Sequence, residues 1–258
     1  MGSRVITAHH LGEGTDVADQ REAVAPLLAA SARRPAAVII GACAAVTVLI
    51  GALTWHGSRP GSLDQAVDSW IRGHLGMHVH ALSLLEDLGS PVQVTVATVV
   101  IVLACLAARR LNGALLAGIS VLVASGLTEL VLKPFFGRTL DGALVYPSGH
   151  TCGAFTLAAI IAVLLLSPPR PARVVVVVIA GLAACSVAVA MIGLGYHYFT
   201  DTVGGAAVGV GVVLATTFPL DMQGTRRLLR IASASPQQPA KPDSGQDSLG
   251  VKILRGRS

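Results

Sequence analysis

The feature that most constrains this chain is a series of six long apolar runs separated by polar connections. A helix needs about 20 apolar residues to cross a hydrocarbon core about 30 Å thick, and each run approaches that length. Hydrophobic residues make up 53% of the 258 residues and charged residues only 13%. Soluble domains carry about 25% charged residues. A chain with so little charge cannot cover a water-facing surface, which excludes an ordinary soluble fold.

These runs predict an all-α, polytopic membrane protein with six transmembrane helices. The predicted spans are Ala36–Trp55, Val92–Ala108, Gly113–Leu132, Thr151–Leu166, Val174–Leu194 and Thr202–Leu220. The longest outer connection, residues 61–90, lies between the first two spans. Its apolar residues recur at helical spacing: Leu63, Val67, Trp70, Ile71 and Leu75. This spacing predicts an interfacial amphipathic helix in the first outer loop.

Arginines near the ends of the apolar runs set the predicted orientation. They lie in alternate connections: Arg33, Arg34, Arg109, Arg110, Arg170, Arg173, Arg226, Arg227 and Arg230. Because cytoplasmic loops carry an excess of Lys and Arg, we expect a multi-pass protein of the cell membrane with both termini in the cytoplasm. The net charge of +5 is then a topology signal, and no nucleic-acid partner is expected.

The same patterning predicts three parts of the chain. Residues 1–34 form a polar cytoplasmic tail, residues 35–221 the six-helix membrane domain, and residues 222–258 a basic, largely disordered cytoplasmic tail.

Two outer loops hold most of the ionisable residues near helix ends that are not cytoplasmic arginines. One reads Lys133-Pro134-Phe135-Phe136-Gly137-Arg138-Thr139 and continues with Tyr146-Pro147-Ser148-Gly149-His150-Thr151. The other reads Gly195-Tyr196-His197-Tyr198-Phe199-Thr200-Asp201. Polar groups near lipid are costly, so this clustering indicates a functional site at the outer membrane face.

The first loop has the groups that bind an anion. Lys133 and Arg138 are cations, and Pro134 predicts that the third helix ends at about Lys133. Ser148 is a candidate N-cap of the fourth helix. The first-turn amides of that helix, from Gly149 onwards, are then free to bind a phosphate.

Two histidines add the chemistry of phosphate transfer. One imidazole can attack phosphorus while the other donates a proton to the leaving oxygen. His197 and Asp201 are four residues apart, so the carboxylate can orient the ring if the segment is helical. Asp141 and Asp201 lack close acidic neighbours, so neither a metal nor another cofactor is expected.

The Pro147-Ser148-Gly149-His150 motif and the downstream His197 and Asp201 resemble the type 2 phosphatidic acid phosphatase superfamily of membrane lipid phosphatases. The resemblance implies a six-helix core over roughly residues 62–220. It implies that His197 is the nucleophile that forms a phosphohistidine, that Asp201 orients it, and that His150 is the general acid. Lys133, Ser148 and Gly149 match phosphate-contacting positions, and the resemblance implies no metal.

Two positions depart from the superfamily pattern. The first motif usually has an Arg seven residues after its Lys, where this chain has Leu140. Arg138, two residues earlier, is the candidate replacement. The third motif usually has an Arg six residues before its His, where this chain has Met191. The site therefore has fewer cations than the resemblance implies.

Simpler interpretations compete for several of these residues. Lys133 can pair with Glu129 one helical turn away, and Arg138 can be a simple headgroup charge. The three tyrosines favour interface anchors: Tyr146, Tyr196 and Tyr198. His74 and His78 have the spacing of metal ligands, but a solvated loop is the favoured interpretation.

The sequence thus predicts a metal-independent membrane phosphatase that hydrolyses a lipid phosphate or diphosphate at the outer face. Polyprenyl phosphates, phosphatidic acid and phosphatidylglycerol phosphate all remain candidate substrates, and the oligomeric state is open. The alternatives are a lipid phosphotransferase on the same site, a non-catalytic lipid-phosphate-binding or assembly protein, and an anion or proton transporter. Few charges lie in the middle of the spans, which argues against the transporter.

Overall fold

The computed structural model describes residues 26–166 and 169–234, with side chains described up to residue 223. The long helices are α1 (Arg33–Leu53), α2 (Ser62–Leu75), α3 (Val79–Asp87), α4 (Pro91–Ala107), α5 (Leu111–Gly126), α6 (Gly149–Leu165), α7 (Pro171–Gly193) and α8 (Phe199–Ala234). A 3-10 turn, Ala30–Ala32, precedes α1. A π-helical segment, Leu127–Leu132, and a final turn, Lys133–Phe136, extend α5. Two short antiparallel strands, β1 (Thr139–Leu140) and β2 (Ala143–Leu144), form a hairpin before α6.

Each predicted span coincides with a helix. Four helices are long and apolar enough to cross a membrane: Ala30–Leu53, Leu111–Phe136, Pro171–Gly193 and Phe199–Gln223. A fifth crossing is formed if α3 and α4, which meet at a bend of 42°, act as one span. Helix α6 is a shorter apolar helix of 17 residues, or about 26 Å. The fold is therefore a largely helical, multi-pass membrane fold, and the count of six crossings stays a prediction.

The end of the third predicted span differs from the sequence prediction. The helix does not stop at Lys133 but continues to Phe136, and Gly137 then adopts a left-handed conformation with φ of 61°. The π-helical segment immediately before Pro134 accommodates the proline, which lacks an N–H and crowds the preceding turn. Lys133 therefore lies within a helical turn instead of pointing into a loop.

The two predicted tails are described only in part. Residues 1–25 and 235–258 lie outside the described residues, and so does most of the predicted disordered segment. The backbone amides of Leu27 and Leu28 donate to the carboxylate of Asp221, at 2.7 and 3.2 Å, so residues 26–34 pack on the helical domain. Helix α8 continues past the predicted boundary at residue 222 as far as Ala234.

The topology separates the arginine clusters from the two motif loops. Arg110 donates to the carbonyl of Leu164, and Arg33 lies 3.9 Å from Asp221, at one end of the bundle. The loops that carry His150 and His197 lie at the opposite end, where α6 and α8 begin. These arginines therefore lie at one end of the bundle and the motif loops at the other, as the predicted alternation requires.

Glycines allow α6 and α8 to approach closely behind the motif loops. A Cβ on Gly205 would lie 2.4 Å from the backbone carbonyl oxygen of Ser148, and one on Gly209 would lie 2.7 Å from that of Cys152. Small residues permit this kind of contact between helices in lipid. The contact fixes the start of α6 against the first turns of α8.

We expect Gly205→Ala to destabilise the protein by about 1–3 kcal/mol, because the new methyl group collides with backbone that cannot move aside. The measurement is the thermal unfolding midpoint of purified protein in detergent. Gly118→Ala is the matched control, since a Cβ on Gly118 in α5 meets no atom within 4 Å. Equal midpoints for the two variants would contradict the expected close packing of α6 and α8.

Candidate functional site

A backbone hydrogen bond joins the two motif loops. The amide of Ser148 donates to the carbonyl of Asp201 at 3.0 Å, so the start of α6 lies directly against the first turn of α8. Ser148 is the N-cap of α6, as the sequence predicts: its Oγ accepts from the amide of Thr151 at 3.4 Å, and its hydroxyl donates to Oγ1 of Thr151 at 3.1 Å. The Ser148 side chain is buried, and both of its hydrogen bonds cap the first turn of α6.

His197 lies just before α8 and faces Asp201. Its Nδ1 is 3.6 Å from Oδ2 of Asp201, and among the described residues this nitrogen has no hydrogen-bond partner. The same Oδ2 accepts a hydrogen bond from the amide of Tyr198 at 2.9 Å, which fixes the carboxylate. The ring is 9% exposed. With Nδ1 directed at Asp201, Nε2 is the nitrogen left for a ligand.

His150 is the second residue of α6 and pairs with a carboxylate from α3. Its Nε2 lies 2.9 Å from Oε1 of Glu86, and its ring is within electrostatic range of His197 and Lys133. The bend between α3 and α4 brings Glu86 to this position. The sequence analysis does not identify this partner, because nothing in a single sequence relates two residues 64 positions apart.

Lys133 also pairs with a carboxylate. Its Nζ lies 2.8 Å from Oε2 of Glu129, which is the simpler of the two interpretations from the sequence. A Cβ on Gly149 would lie 2.4 Å from Oε1 of Glu129 and 3.7 Å from Nζ of Lys133. The carboxylate and the ammonium therefore both lie over the first residue of α6, where an anion on the helix N-terminus would contact them.

A cavity of about 640 Å³ lies between α4, α5 and α6, and its lining includes His150 but not His197. Its polar end has Glu129, Lys133, Gly149 and His150, and its walls are largely apolar. Among the described residues, Lys133 is the only Lys or Arg that lines this cavity. An anion at this polar end would compete with Glu129 for the Lys133 ammonium.

Arg138 has a different environment from that predicted. Its side chain is fully buried, with NH1 2.6 Å from both Oδ1 of Asp201 and Oγ1 of Thr200, and NH2 2.6 Å from Oδ2 of Asp64. Its guanidinium also lies 4.5 Å from the centre of the Tyr198 ring. The predicted phosphate contact does not match this geometry, because the buried guanidinium already binds Asp64, Thr200 and Asp201.

Two aspartates of α2 complete this buried cluster, and sequence reasoning missed both. Oδ1 of Asp64 accepts from the amide of Thr200 at 2.9 Å, and Oδ1 of Asp68 accepts from the amide of Phe199 at 3.0 Å. These are first-turn amides of α8, so α2 caps that helix from outside. Burial alone raises the pKa of Asp64, but hydrogen bonds from Thr200 and Arg138 outweigh it and lower the pKa below its ordinary value.

A signal for these aspartates exists in the sequence. Asp64 and Asp68 are four residues apart and share a helix face with Ile71, and all three are buried. A helix forms at the predicted position, with Leu63 and Trp70 exposed and the two carboxylates buried. Its interfacial location stays a prediction.

Two of the three tyrosines are not interface anchors. Tyr146 is fully buried and donates to the carbonyl of Thr47 at 2.6 Å, and Tyr198 is buried against Arg138. Tyr196 is 54% exposed.

The two positions that depart from the motif pattern lie in different environments. Met191 packs in an apolar cluster with Ala154, Ala184 and Val187, so the position of the usual arginine contributes to the core. Leu140 lies in β1 of the hairpin.

Within the described part of the chain, no group of three or more His, Cys, Asp or Glu could hold a metal ion.

Comparison with known proteins agrees with the motifs. Residues 113–221 match the family model of the PAP2 superfamily. A solved structure with the same fold is the transmembrane PAP2 type phosphatidylglycerolphosphate phosphatase from Bacillus subtilis, at 20% identity and a TM-score of 0.55, over 71% of this chain and 96% of that one. No curated protein matches. The predicted resemblance is confirmed by the match of residues 113–221 to the PAP2 superfamily.

We expect Glu129→Gln to tighten the binding of inorganic phosphate about two- to fivefold. The substitution frees Lys133 from a half-exposed ion pair, and such pairs contribute about 0.2–1 kcal/mol. The measurement is calorimetric titration of the purified protein with phosphate. Asp87→Asn is the matched control, because it removes an exposed carboxylate near the same end of the bundle. Unchanged or weaker binding by Glu129→Gln would contradict an overlap between Glu129 and the anion.

The buried carboxyl group of Asp68 is expected to make the free energy of unfolding depend on pH. Burial raises its pKa to about 6, despite the hydrogen bond from the Phe199 amide, and the nearby Asp64 contributes in the same direction. The folded state therefore binds a proton more tightly than the unfolded chain, so stability falls as the pH rises from about 4 to about 7. Asp68→Asn should flatten this dependence in unfolding midpoints measured across that range. A slope in the variant equal to that of the natural chain would refute the assignment.

Proposed function

We propose that this protein is a membrane phosphatase that hydrolyses a lipid phosphate or diphosphate through a phosphohistidine on His197. The observation that carries the proposal is the hydrogen bond between Ser148 and Asp201, which holds two histidine-bearing helix starts together. His197 faces a fixed carboxylate, and His150 borders a cavity that also contains Lys133. The family of residues 113–221 supports this chemistry.

The proposed reaction has two balanced steps. Nε2 of His197 forms a bond to phosphorus as the bond from phosphorus to the leaving oxygen breaks, and that oxygen takes a proton from His150. In the second step water attacks the phosphorus, His150 takes the water proton, and the phosphorus–nitrogen bond breaks to release phosphate. The leaving oxygen replaces Glu86 as the hydrogen-bond partner of His150.

The phosphate is proposed to bind over the first turn of α6. The Lys133 ammonium and the backbone amides that begin at Gly149 favour the dianion. Ser148 contributes by capping this turn and presenting its amides. No metal enters these steps, and we expect activity in the presence of EDTA.

The cavity supports a lipid substrate. Away from the polar end its walls include Val94, Val121 and Leu122, which suit a hydrocarbon chain. A lipid phosphate would place its phosphate at the polar end of the cavity, at the helix N-terminus, and its hydrocarbon chain along the apolar walls. Polyprenyl phosphates, phosphatidic acid and phosphatidylglycerol phosphate all fit this description.

The site is proposed to face the outside of the cell. The arginine clusters lie at the other end of the bundle, and positive residues favour the cytoplasm. Both termini would then be cytoplasmic. Labelling of a single cysteine at Arg59 in intact cells by a membrane-impermeant reagent would support this orientation.

One observation favours a second candidate function, which is binding of a lipid phosphate without hydrolysis. Met191 is in the core and Arg138 is turned inward, so the phosphate position has fewer cations than the motif pattern implies. Each missing charge-assisted contact would weaken phosphate binding by about 1.5–3 kcal/mol.

We expect His197→Ala to reduce phosphate release from lipid phosphates by at least about 1,000-fold, because the nucleophile is removed. Release is measured on purified protein with a panel of lipid phosphates, with and without EDTA. His80→Ala is the control, since His80 is an exposed histidine of α3. Most of the activity remaining in His197→Ala would refute the nucleophile. Lipid binding with no release from the natural chain would favour the second candidate.

A further inference from the structure

We propose that Asp64 is a positioning residue for the nucleophile and acts through Arg138 and Asp201. This inference rests on the proposed function, in which His197 attacks phosphorus. The chain of contacts runs from α2 to the reacting ring: Asp64 to Arg138 at 2.6 Å, Arg138 to Asp201 at 2.6 Å, and Asp201 to Nδ1 of His197 at 3.6 Å. The Arg138 side chain is fully buried, so it reaches the reacting ring only through Asp201.

The charges explain why two carboxylates surround one guanidinium. Arg138 is always protonated and touches the same carboxylate that faces His197. Alone it would neutralise Asp201, and Asp201 would then have little charge left to stabilise the imidazole. Asp64 offsets Arg138 from the opposite side, so the three groups have a net charge of −1. That remaining charge is available to His197.

The contacts of Arg138 restrict the position of its side chain and also balance its charge. Its NH1 is shared between Asp201 and Thr200, and the Thr200 hydroxyl donates in turn to Oδ2 of Asp64 at 3.1 Å. The Tyr198 ring lies against the guanidinium at 4.5 Å. Asp201 is thereby held by Arg138 on Oδ1 and by the amide of Tyr198 on Oδ2. Each contact restricts where the carboxylate can point, and hence where the His197 ring can lie.

Helix α2, in the first predicted outer loop, contributes to the proposed reaction through Asp64. Helix α2 precedes the PAP2 domain of residues 113–221, yet it completes the charge balance of the histidine. Removing the Asp64 charge should therefore reduce the chemical step without weakening phosphate binding. A direct phosphate contact by Arg138 makes the opposite prediction.

The experiment compares Asp64→Asn with Asp68→Asn. Both variants lose one buried carboxylate of α2, and both retain an oxygen that can accept from an α8 amide. Asp64 touches Arg138, whereas Asp68 faces Arg72 at 3.5 Å. We expect Asp64→Asn to lower kcat about 10- to 100-fold with KM and the phosphate Kd within about twofold of the natural chain. Asp68→Asn should retain kcat within about twofold.

Thr200→Ala provides a milder variant in case Asp64→Asn does not fold. It removes the hydroxyl shared by Arg138 and Asp64 without changing the charge. We expect kcat to fall about three- to tenfold with KM unchanged. A tenfold loss of phosphate affinity in either variant would overturn the inference, since Arg138 would then act on the phosphate. Natural kcat in both variants would overturn it as well.

A measurement without turnover separates this inference from the proposed function. Nitrogen NMR of histidine-labelled protein at alkaline pH reports which ring nitrogen of His197 carries the proton. We expect the Nδ1–H tautomer in the natural chain and in Asp68→Asn, and a mixture of tautomers in Asp64→Asn. If the natural chain releases no phosphate, the proposed function fails, but this shift still supports the positioning by Asp64. An unchanged tautomer in Asp64→Asn would overturn it.

Discussion

The structure depends on one buried guanidinium. Arg138 cannot lose its charge, and a buried charge without partners is too costly for a folded chain. Asp64 and Asp201 meet this requirement from two helices that are far apart in sequence. The loop before α6, the outer helix α2 and the start of α8 must therefore converge on one point. Asp201 is at that point, and it is also the carboxylate that faces His197. One electrostatic requirement thus assembles the loops and orients the proposed nucleophile.

Two carboxylates lie against the basic groups at the polar end of the cavity. Glu86 lies on His150 and Glu129 on Lys133, at the positions where a substrate would be bound. The Lys133 ammonium is thus paired with a carboxylate beside lipid, where isolated charge is costly. In the proposed function a phosphate competes with these carboxylates, so its net binding energy would be smaller than its direct contacts suggest. This arrangement favours substrates whose hydrocarbon chains also contribute binding energy along the apolar walls of the cavity.

Much of the fold could be predicted from the sequence, because long apolar runs and capping residues are local signals. Ser148 as the N-cap of α6 is one example, and the positions of the six apolar helices are another. The π-helical segment before Pro134 was not predicted, since it depends on packing that periodicity does not record. The partners of the site residues were also missed. Glu86 lies 64 residues from His150, Asp64 lies 74 residues from Arg138, and Asp68 lies 131 residues from Phe199. The inward turn of Arg138 follows from those same hidden partners.

The most direct test of the account is to identify the phosphorylated residue during turnover. Purified protein would be mixed with a lipid phosphate labelled in the phosphate group, quenched at alkaline pH within one turnover, and digested for mass spectrometry. We predict acid-labile phosphate on His197 and none in His197→Ala. Release of phosphate with label on a different residue, or with no phosphoenzyme at any quench time, would contradict the central role of His197.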